Sequence, residues 1–450
     1  MSGSAPRARG LPGPLKLAVA WLILIVVGTI LLRLPVSAVP GRTLSWLDAA
    51  FTATSGICVT GLSTITVGER LTTFGQVVLL VLIQLGGLGI SVVSTFFLTA
   101  LGRASLSSEM GAGESLAAVR VRPLTLLWWA IGVTVTAELA GTLLLGLRFD
   151  GSQRWWLALF HSISAFCNAG FSLFPDSLEG YRGDAVVNLT VITLIAAGGV
   201  GFIVIRQLVR RVLRAGSPNR APIYLHTRVV LAGSLILWTL GMVLVWVLER
   251  GGTLANLSAG ESVLASLFQS VTTRTAGFNT LEVPAMRDAT LFVIMLLMFV
   301  GGAPGSCAGG IKLTTAFIVL AAIRSHYLGV DKVRLFRRSV PAALVQRAFL
   351  LVTLSTVFLS VVILVLCVTE EGTAVVSGRH FTAVLFEAVS AFGTVGLSTG
   401  ITPHLSAAGK AVIIVTMFVG RLGPLMLIVA VLRPRVRPTF AYPEEDLAVG

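Results

Sequence analysis

Four short stretches of the sequence carry residues able to do chemistry: FTATSGICVTGLST from Phe51, FHSISAFCNAGFSL from Phe160, FQSVTTRTAGFNTL from Phe268 and FEAVSAFGTVGLST from Phe386. Each opens on Phe and reaches a glycine (Gly61, Gly170, Gly277, Gly396), followed by Leu or Phe and then Ser or Asn. The interval from Phe to Gly is 10, 10, 9 and 10 residues, so the third copy is one residue shorter. No copy sets Asp or Glu beside its glycine, which speaks against a carboxylate ring that would select divalent cations. What the loops offer is backbone. Glycine reaches φ/ψ values closed to residues with a Cβ, so carbonyls on such a strand can all turn one way. A row of carbonyls facing an axis can replace the hydration shell of a dehydrated cation. The expected lining is Val59, Thr60, Gly61 and Leu62; Asn168, Ala169, Gly170 and Phe171; Thr275, Ala276, Gly277 and Phe278; Thr394, Val395, Gly396 and Leu397. One such loop alone reads as a turn between helices. Four at matched positions predict four walls around one axis.

The elements that hold these loops must lie in a membrane. The chain has 450 residues, of which 55% are hydrophobic and 12% charged, with a mean hydropathy of +0.90. Several bilayer spans need that much apolar sequence; a soluble domain does not. Runs long enough to span fall at 16–35, 74–100, 124–146, 186–209, 228–248, 289–323, 348–368 and 409–432. One glycine loop lies between the members of each successive pair. The 10 to 15 semi-apolar residues before it, such as SWLDAAFTATSGICV, are too short to cross and read as a re-entrant half-helix. Such a half-helix aims its partially negative C-terminal end at the axis, which favours a cation. Successive glycines stand 109, 107 and 119 residues apart, so the unit repeats along the whole chain. The predicted fold class is an all-α membrane protein with eight transmembrane helices and four re-entrant pore half-helices around one pore. The expected repeats cover 1–110, 111–220, 221–330 and 331–432, with a cytoplasmic tail at 433–450.

Charge orients this arrangement. With the N-terminus inside, the inner segments hold 21 Lys/Arg and 6 Asp/Glu, against 11 and 13 on the outer side. That asymmetry accounts for the net charge of +14 and follows the positive-inside rule, so nucleic acid is not expected as a partner. Both termini are expected in the cytoplasm, and the basic N-terminal arm reads as leading into a retained first helix.

The sixth apolar run is interrupted by GGAPGSCAGG: Gly301, Gly302, Ala303, Pro304, Gly305, Ser306, Cys307, Ala308, Gly309 and Gly310. Such a stretch destroys helix propensity, and within a bilayer it is tolerable only against protein or a cavity. It is read as a mobile gate below the ring. Lys312 and Arg421 are intramembrane charges assigned to the same gate. Glu138, a third intramembrane charge, fits either a proton or ion relay or a structural pairing with a neighbouring hydroxyl or Arg. Cys58, Cys167, Cys307 and Cys367 form no CxxC pair and no Cys/His cluster. The histidines at 161, 226, 326, 380 and 404 are dispersed and read as surface or interfacial residues.

Thr394-Val395-Gly396-Leu397 is similar to the TVGY core of potassium-channel filters, and the other copies are looser. With NAGFS, TRTAGFN and GTVGLS loops, the chain resembles the Trk/Ktr/HKT superfamily of potassium-uptake proteins over essentially its whole length. IQLGGLG, FHSISAFCNAGFSLFPD, GGIKLTT and FVGRLGPL bring it nearest the Ktr-type membrane subunit. The resemblance implies K+ as transported ion, Na+ as a candidate activator, a homodimer with one pore per subunit, and residence in the plasma membrane. It also implies a cytoplasmic nucleotide-binding ring partner of RCK type. No nucleotide is expected on this chain, and no GxxxxGK[ST] occurs. The gating loop of that family lies just ahead of its GGIK segment, and an Arg is placed like Arg421. The leading function is therefore gated potassium uptake. A Na+- or H+-coupled carrier is the alternative, although carriers usually show inverted repeats and charged midplane ligands. A membrane enzyme is not expected: there is no HExxH, and Ser306 sits in PGSCAG, not GxSxG.

Overall fold

Four half-length helices are sunk among longer ones in the computed structural model, which describes residues 13–88, 123–213, 223–330, 332–371 and 379–423. The first unit is α1 (Gly13–Arg33), α2 (Trp46–Cys58) and α3 (Thr73–Gly87). The second is α4 (Pro123–Gly146), α5 (Arg154–Phe166), α6 (Ala185–Val200) and α7 (Phe202–Leu213). The third is α8 (Leu225–Glu249), α9 (Ala259–Thr272), α10 (Asp288–Phe299) and α11 (Leu313–Tyr327). The fourth is α12 (Ala342–Thr369), α13 (His380–Gly393) and α14 (Ala407–Leu422). A two-stranded antiparallel hairpin, β1 (Arg334–Leu335) and β2 (Arg338–Ser339), lies between α11 and α12. The basic N-terminal arm, the inner loop at 101–122, the tail at 433–450 and the far ends of the expected spans 74–100 and 409–432 lie outside the described residues.

Helices α2, α5, α9 and α13 have 13 or 14 residues. At 1.5 Å per residue each is roughly 20 Å long, against roughly 30 Å of hydrocarbon. Their opening phenylalanines, Phe51, Phe160, Phe268 and Phe386, are all fully buried. The repeated Phe is thus the anchor that locks each half-helix into the core. The longer helices show the opposite burial. Ile23, Leu235 and Leu364 stand more than half exposed, as surfaces facing lipid do. Trp128–Gly146, Leu225–Glu249 and Ala342–Thr369 are long and apolar enough to cross a membrane.

The units close on one another. Helix α3 packs on α5, α6 on α9, and α10 on α13, and α14 returns to pack on α2. Each unit also ties the end of its first long helix to the start of its last, by a different chemistry each time. Thr72 Oγ1 donates to Val36 O at 2.6 Å, and Arg148 pairs with the N-cap Asp184 at 2.7 Å. Glu249 accepts from the Arg287 N–H at 2.9 Å, and Glu370 accepts from the Ser406 N–H at 2.9 Å.

Two expected spans are not single helices. The run at 186–209 breaks at Gly201, which takes φ +91°, and α7 leaves α6 bent by 104°. The sequence explains the turn: α7 reads FIVIRQLVRRVL, with Arg206, Arg210 and Arg211, and such a helix lies along an interface more cheaply than it crosses hydrocarbon. The run at 289–323, as its glycine-rich break leads one to expect, is α10 and α11 with a non-helical segment from Val300 to Lys312 between them that doubles back so that Gly301 N–H donates to Ile311 O at 2.7 Å.

Candidate functional site

The C-terminal ends of the half-helices converge. Each is followed by a residue in the left-handed region: Val59 (φ +55°), Asn168 (φ +60°), Thr275 (φ +69°) and Thr394 (φ +49°). Residues with a Cβ hold that conformation at a cost of order 1 kcal/mol or more, so it persists where surrounding structure imposes it. Two residues on, Gly61, Gly170, Gly277 and Gly396 also take positive φ, from +68° to +95°.

These four glycines touch in order. A Cβ on Gly61 would lie 2.5 Å from Ala169 O and 3.1 Å from Gly170 Cα. One on Gly170 would lie 2.7 Å from Ala276 O and 2.8 Å from Gly277 Cα. One on Gly277 would lie 2.5 Å from Val395 O and 3.1 Å from Gly396 Cα. One on Gly396 would strike Thr60 O and come within 3.0 Å of Gly61 Cα, which closes the ring. The carbonyls of Thr60, Ala169, Ala276 and Val395 accept no hydrogen bond among the described residues. Leu62, Phe171, Phe278 and Leu397 are buried and turn their side chains into the protein. The sixteen expected residues therefore do come together, with backbone, not side chain, at the centre.

A hydroxyl on each half-helix sets its loop. Ser55 Oγ accepts from the Gly61 N–H and Ser390 Oγ from the Gly396 N–H, both at 3.1 Å. Ser164 Oγ donates to Phe171 O at 2.8 Å, and Thr272 Oγ1 to Phe278 O at 2.6 Å. This hydroxyl was not singled out from sequence. It becomes visible when the one-residue gap of the third copy is placed between Thr272 and Gly277. On the side of the residues that follow the glycines, the ring opens into a cavity of about 440 Å³.

On the opposite side lies the segment from Val300 to Lys312. Ala303 N–H donates to Gly199 O at 3.0 Å and Cys307 N–H to Gly198 O at 3.1 Å, both on α6. Arg274 donates to Gly301 O, and Arg421 donates to both Cys307 O and Gly86 O. Lys312 Nζ donates to Ala308 O at 2.6 Å, and a Cβ on Gly309 would strike the Thr394 side chain. The segment thus bonds directly to three units, the second, third and fourth, and one of those partners, Arg421, also bonds to Gly86 of the first. Gly301, Gly302, Ala303, Pro304, Gly305, Ser306, Cys307, Ala308, Gly309 and Gly310 all belong to it.

Arg421 is 4% exposed and does not reach for the surface. Arg274, at the position three before the ring glycine where the other copies have Cys58, Cys167 and Gly393, was not expected to touch this segment. Among the described residues the Glu138 carboxylate is paired with neither a hydroxyl nor an Arg, and hydroxyls reach only its main-chain carbonyl. The carboxylate lies 3.3 Å from Gln84 Nε2 and 3.9 Å from Cys167 Sγ. His161 corrects the reading of the histidines as surface or interfacial, because it is fully buried and stacked on Phe174 at 4.7 Å. It is stable there because both ring nitrogens are satisfied, by Leu157 O at 2.7 Å and Ser172 Oγ at 2.9 Å.

A second fourfold signature escaped the sequence reading. GGLG at 86–89, GGVG at 198–201, GGAPG at 301–305 and GRLG at 420–423 begin 25, 28, 24 and 24 residues after the ring glycines. In three units the first glycine lets a helix touch the end of its own half-helix: a Cβ on Gly86, Gly198 or Gly420 would strike Ile57 O, Phe166 O or Phe392 O. In the third unit Gly301 is instead blocked by Gly309 O of the doubled-back segment.

Comparison with known proteins agrees with this arrangement. The TrkH family, described as cation transport protein, matches residues 12–436. The chain is 37% identical to Ktr system potassium uptake protein B of Bacillus subtilis, over 97% of this chain and 96% of that protein. It is 36% identical to potassium/sodium uptake protein NtpJ of Enterococcus hirae, over 99% of both chains. Ktr system potassium uptake protein B of Vibrio alginolyticus is 36% identical over 100% of this chain and 97% of its own. Among solved structures, the potassium transporter TrkH of Vibrio parahaemolyticus superposes with a TM-score of 0.72 at 19% identity, covering 96% and 87% of the two chains, which shows a shared fold. The protein is a multi-pass membrane protein: the chain belongs to the TrkH family of cation transport proteins, and within it stands with the Ktr-type membrane subunits.

Proposed function

We propose that the protein carries K+ into the cell through the ring of Gly61, Gly170, Gly277 and Gly396, with the segment at 301–310, Lys312 and Arg421 as its gate. The carrying observation is the closed contact order of the four glycines, with the carbonyls of Thr60, Ala169, Ala276 and Val395 left without hydrogen-bond partners among the described residues. A dehydrated cation on the axis would receive oxygens from all four units in place of water. The half-helix C-termini add their negative partial charge at the same point. The gate would act by position: its backbone crosses the path of any ion leaving the ring. The three cationic side chains bonded to its carbonyls, Arg274, Arg421 and Lys312, would oppose a cation there until the segment moves.

The finer architecture belongs to the same reading. Eight spans with four pore half-helices, four tandem repeats at 1–110, 111–220, 221–330 and 331–432, and cytoplasmic termini account for the charge asymmetry. The relatives named for a Ktr system support membership of a transport system; the plasma-membrane homodimer and the cytoplasmic nucleotide-binding ring rest on the resemblance of the sequence motifs. No nucleotide binds this chain in that scheme. The name of NtpJ, a potassium/sodium uptake protein, supports Na+ as a second permeant or activating ion. It also keeps an ion-coupled carrier as the second reading. Recordings from the full-length protein in planar bilayers decide between the two. Discrete unitary openings in symmetric K+ are expected, whereas a stoichiometric flux with no unitary events would establish the carrier.

A further inference from the structure

Behind each loop of the ring, the residue after the anchoring Phe is polar and fully buried: Thr52, His161, Gln269 and Glu387. The four do not behave alike. In the second unit, Leu157 O can only accept, so His161 Nδ1 carries the proton; Ser172 Oγ lies 2.9 Å from Nε2 and 3.3 Å from Ser177 O, and its one hydrogen is directed to the shorter contact. Ser172 Oγ in turn accepts from the Phe174 N–H at 3.0 Å. The fourth unit repeats the arrangement. Ser398 Oγ donates to Glu387 Oε2 at 2.9 Å and accepts from the Gly400 N–H at 3.0 Å. Thr402 Oγ1 donates to the other oxygen of Glu387. Ser172 and Ser398 both stand two residues after their ring glycines.

The other two units lack this link. Ser63 Oγ donates to Ile65 O at 2.6 Å, and Thr52 Oγ1 has no partner among the described residues. Asn279 Nδ2 donates to Glu179 at 2.7 Å and to Leu281 O at 3.2 Å, while both amide atoms of Gln269 are buried without partners among the described residues. Given the contact order of the glycines, the second and fourth units face each other across the axis.

Resting on the ring as the ion path, we propose that His161 and Glu387 are selectivity-positioning residues: a diagonal pair of buried side chains that hold Ser172 and Ser398. They thereby fix the spacing of the ring carbonyls across one diagonal. Neither side chain touches the ion. Each acts through one hydroxyl on the strand that leaves the glycine, and the cation it serves is a monovalent one whose size the ring must match. On the other diagonal, Ser63 and Asn279 bond elsewhere and not to the buried residue behind their loop, so that diagonal adapts to the first. Copies that look degenerate in sequence thus have divided roles, two loops buttressed and two compliant.

The test is 86Rb+ uptake by full-length protein in proteoliposomes, with the Na+ concentration that halves it as readout. Glu387→Gln, Ser398→Ala, His161→Leu and the pair Glu387→Gln/Ser398→Ala are set against Thr52→Val on the compliant diagonal. The expected result is that each of the first three becomes at least about fivefold more sensitive to Na+ with Rb+ uptake retained, a shift on the scale of one lost hydrogen bond. The double variant should fall short of the sum of its two singles, since both members share the Glu387–Ser398 bond. Thr52→Val should match the parent. Ser398 is half-buried and its change removes a single oxygen, so this variant decides the matter if Glu387→Gln fails to accumulate. Unchanged Na+ sensitivity in Ser398→Ala, or an equal loss in Thr52→Val, would overturn the proposal. Gly396→Ser measured alongside separates the two levels: if it too leaves Na+ sensitivity unchanged, the ring as ion path is what fails.

Discussion

Gly396→Ser is expected to reduce the preference for K+ over Na+ by about tenfold or more, the equivalent of 1.4 kcal/mol of lost discrimination. Two effects combine. At φ +95° any side chain strains the backbone, and here the new Cβ would strike Thr60 O and crowd Gly61 Cα at 3.0 Å. Both obstacles are backbone of the neighbouring loop, so the collision cannot be relieved by turning a side chain. The ring must open, and carbonyls moved outward by a few tenths of an ångström suit a small ion less selectively. Gly41→Ala separates strain from collision. Gly41 has φ +79° with nothing within 4 Å of an added Cβ. It should cost stability and leave selectivity intact. Reversal potentials under bi-ionic K+/Na+ conditions check both. An unchanged reversal potential in Gly396→Ser would remove the ring from the account.

Loss of the proposed gating segment is expected to have the largest effect in the opposite direction. Deleting most of 301–310 should raise basal Rb+ flux in the absence of any regulator. The single change Arg421→Ala should do the same by about tenfold or more, since it removes two bonds from a charged donor, each worth about 1.5–3 kcal/mol. Arg274→Ala, which frees only Gly301 O, should fall between Arg421→Ala and the parent. Stopped-flow or isotope flux into proteoliposomes reads the effect. Flux equal to the parent in the deletion would show that residues 301–310 do not obstruct the path.

Much of this arrangement was legible in the residues, because the fold writes itself four times. A Phe that anchors a half-helix and a Gly that cannot carry a Cβ must recur wherever the same corner of the ring recurs. The break in the third unit was legible too, since five glycines and a proline within GGAPGSCAGG leave no helix to form. What escaped falls into two physical kinds. The turn at Gly201 was hidden because an apolar run records that a segment avoids water, not the direction in which it travels. The partners of Arg274, Arg421 and His161 were hidden because they are backbone carbonyls or distant hydroxyls. A carbonyl is present at every residue and leaves no mark in composition. Arg421 meets Gly86 of α3 across 335 positions of sequence, and the packing of both α14 and α3 on α2 brings them together. The buried imidazole of His161 was misread for the same reason: its satisfaction depends on Leu157 O and Ser172 Oγ, which no spacing rule identifies.

The central claim is that four carbonyl loops form one path selective for K+. The most direct measurement is 86Rb+ uptake into proteoliposomes containing the full-length protein, driven by a K+ gradient and challenged with Na+, with and without the cytoplasmic regulator. The account predicts saturable uptake that K+ suppresses at far lower concentration than Na+, and that the regulator's nucleotide state raises or lowers. Uptake equally suppressed by the two ions, or absent with the regulator present, would contradict it.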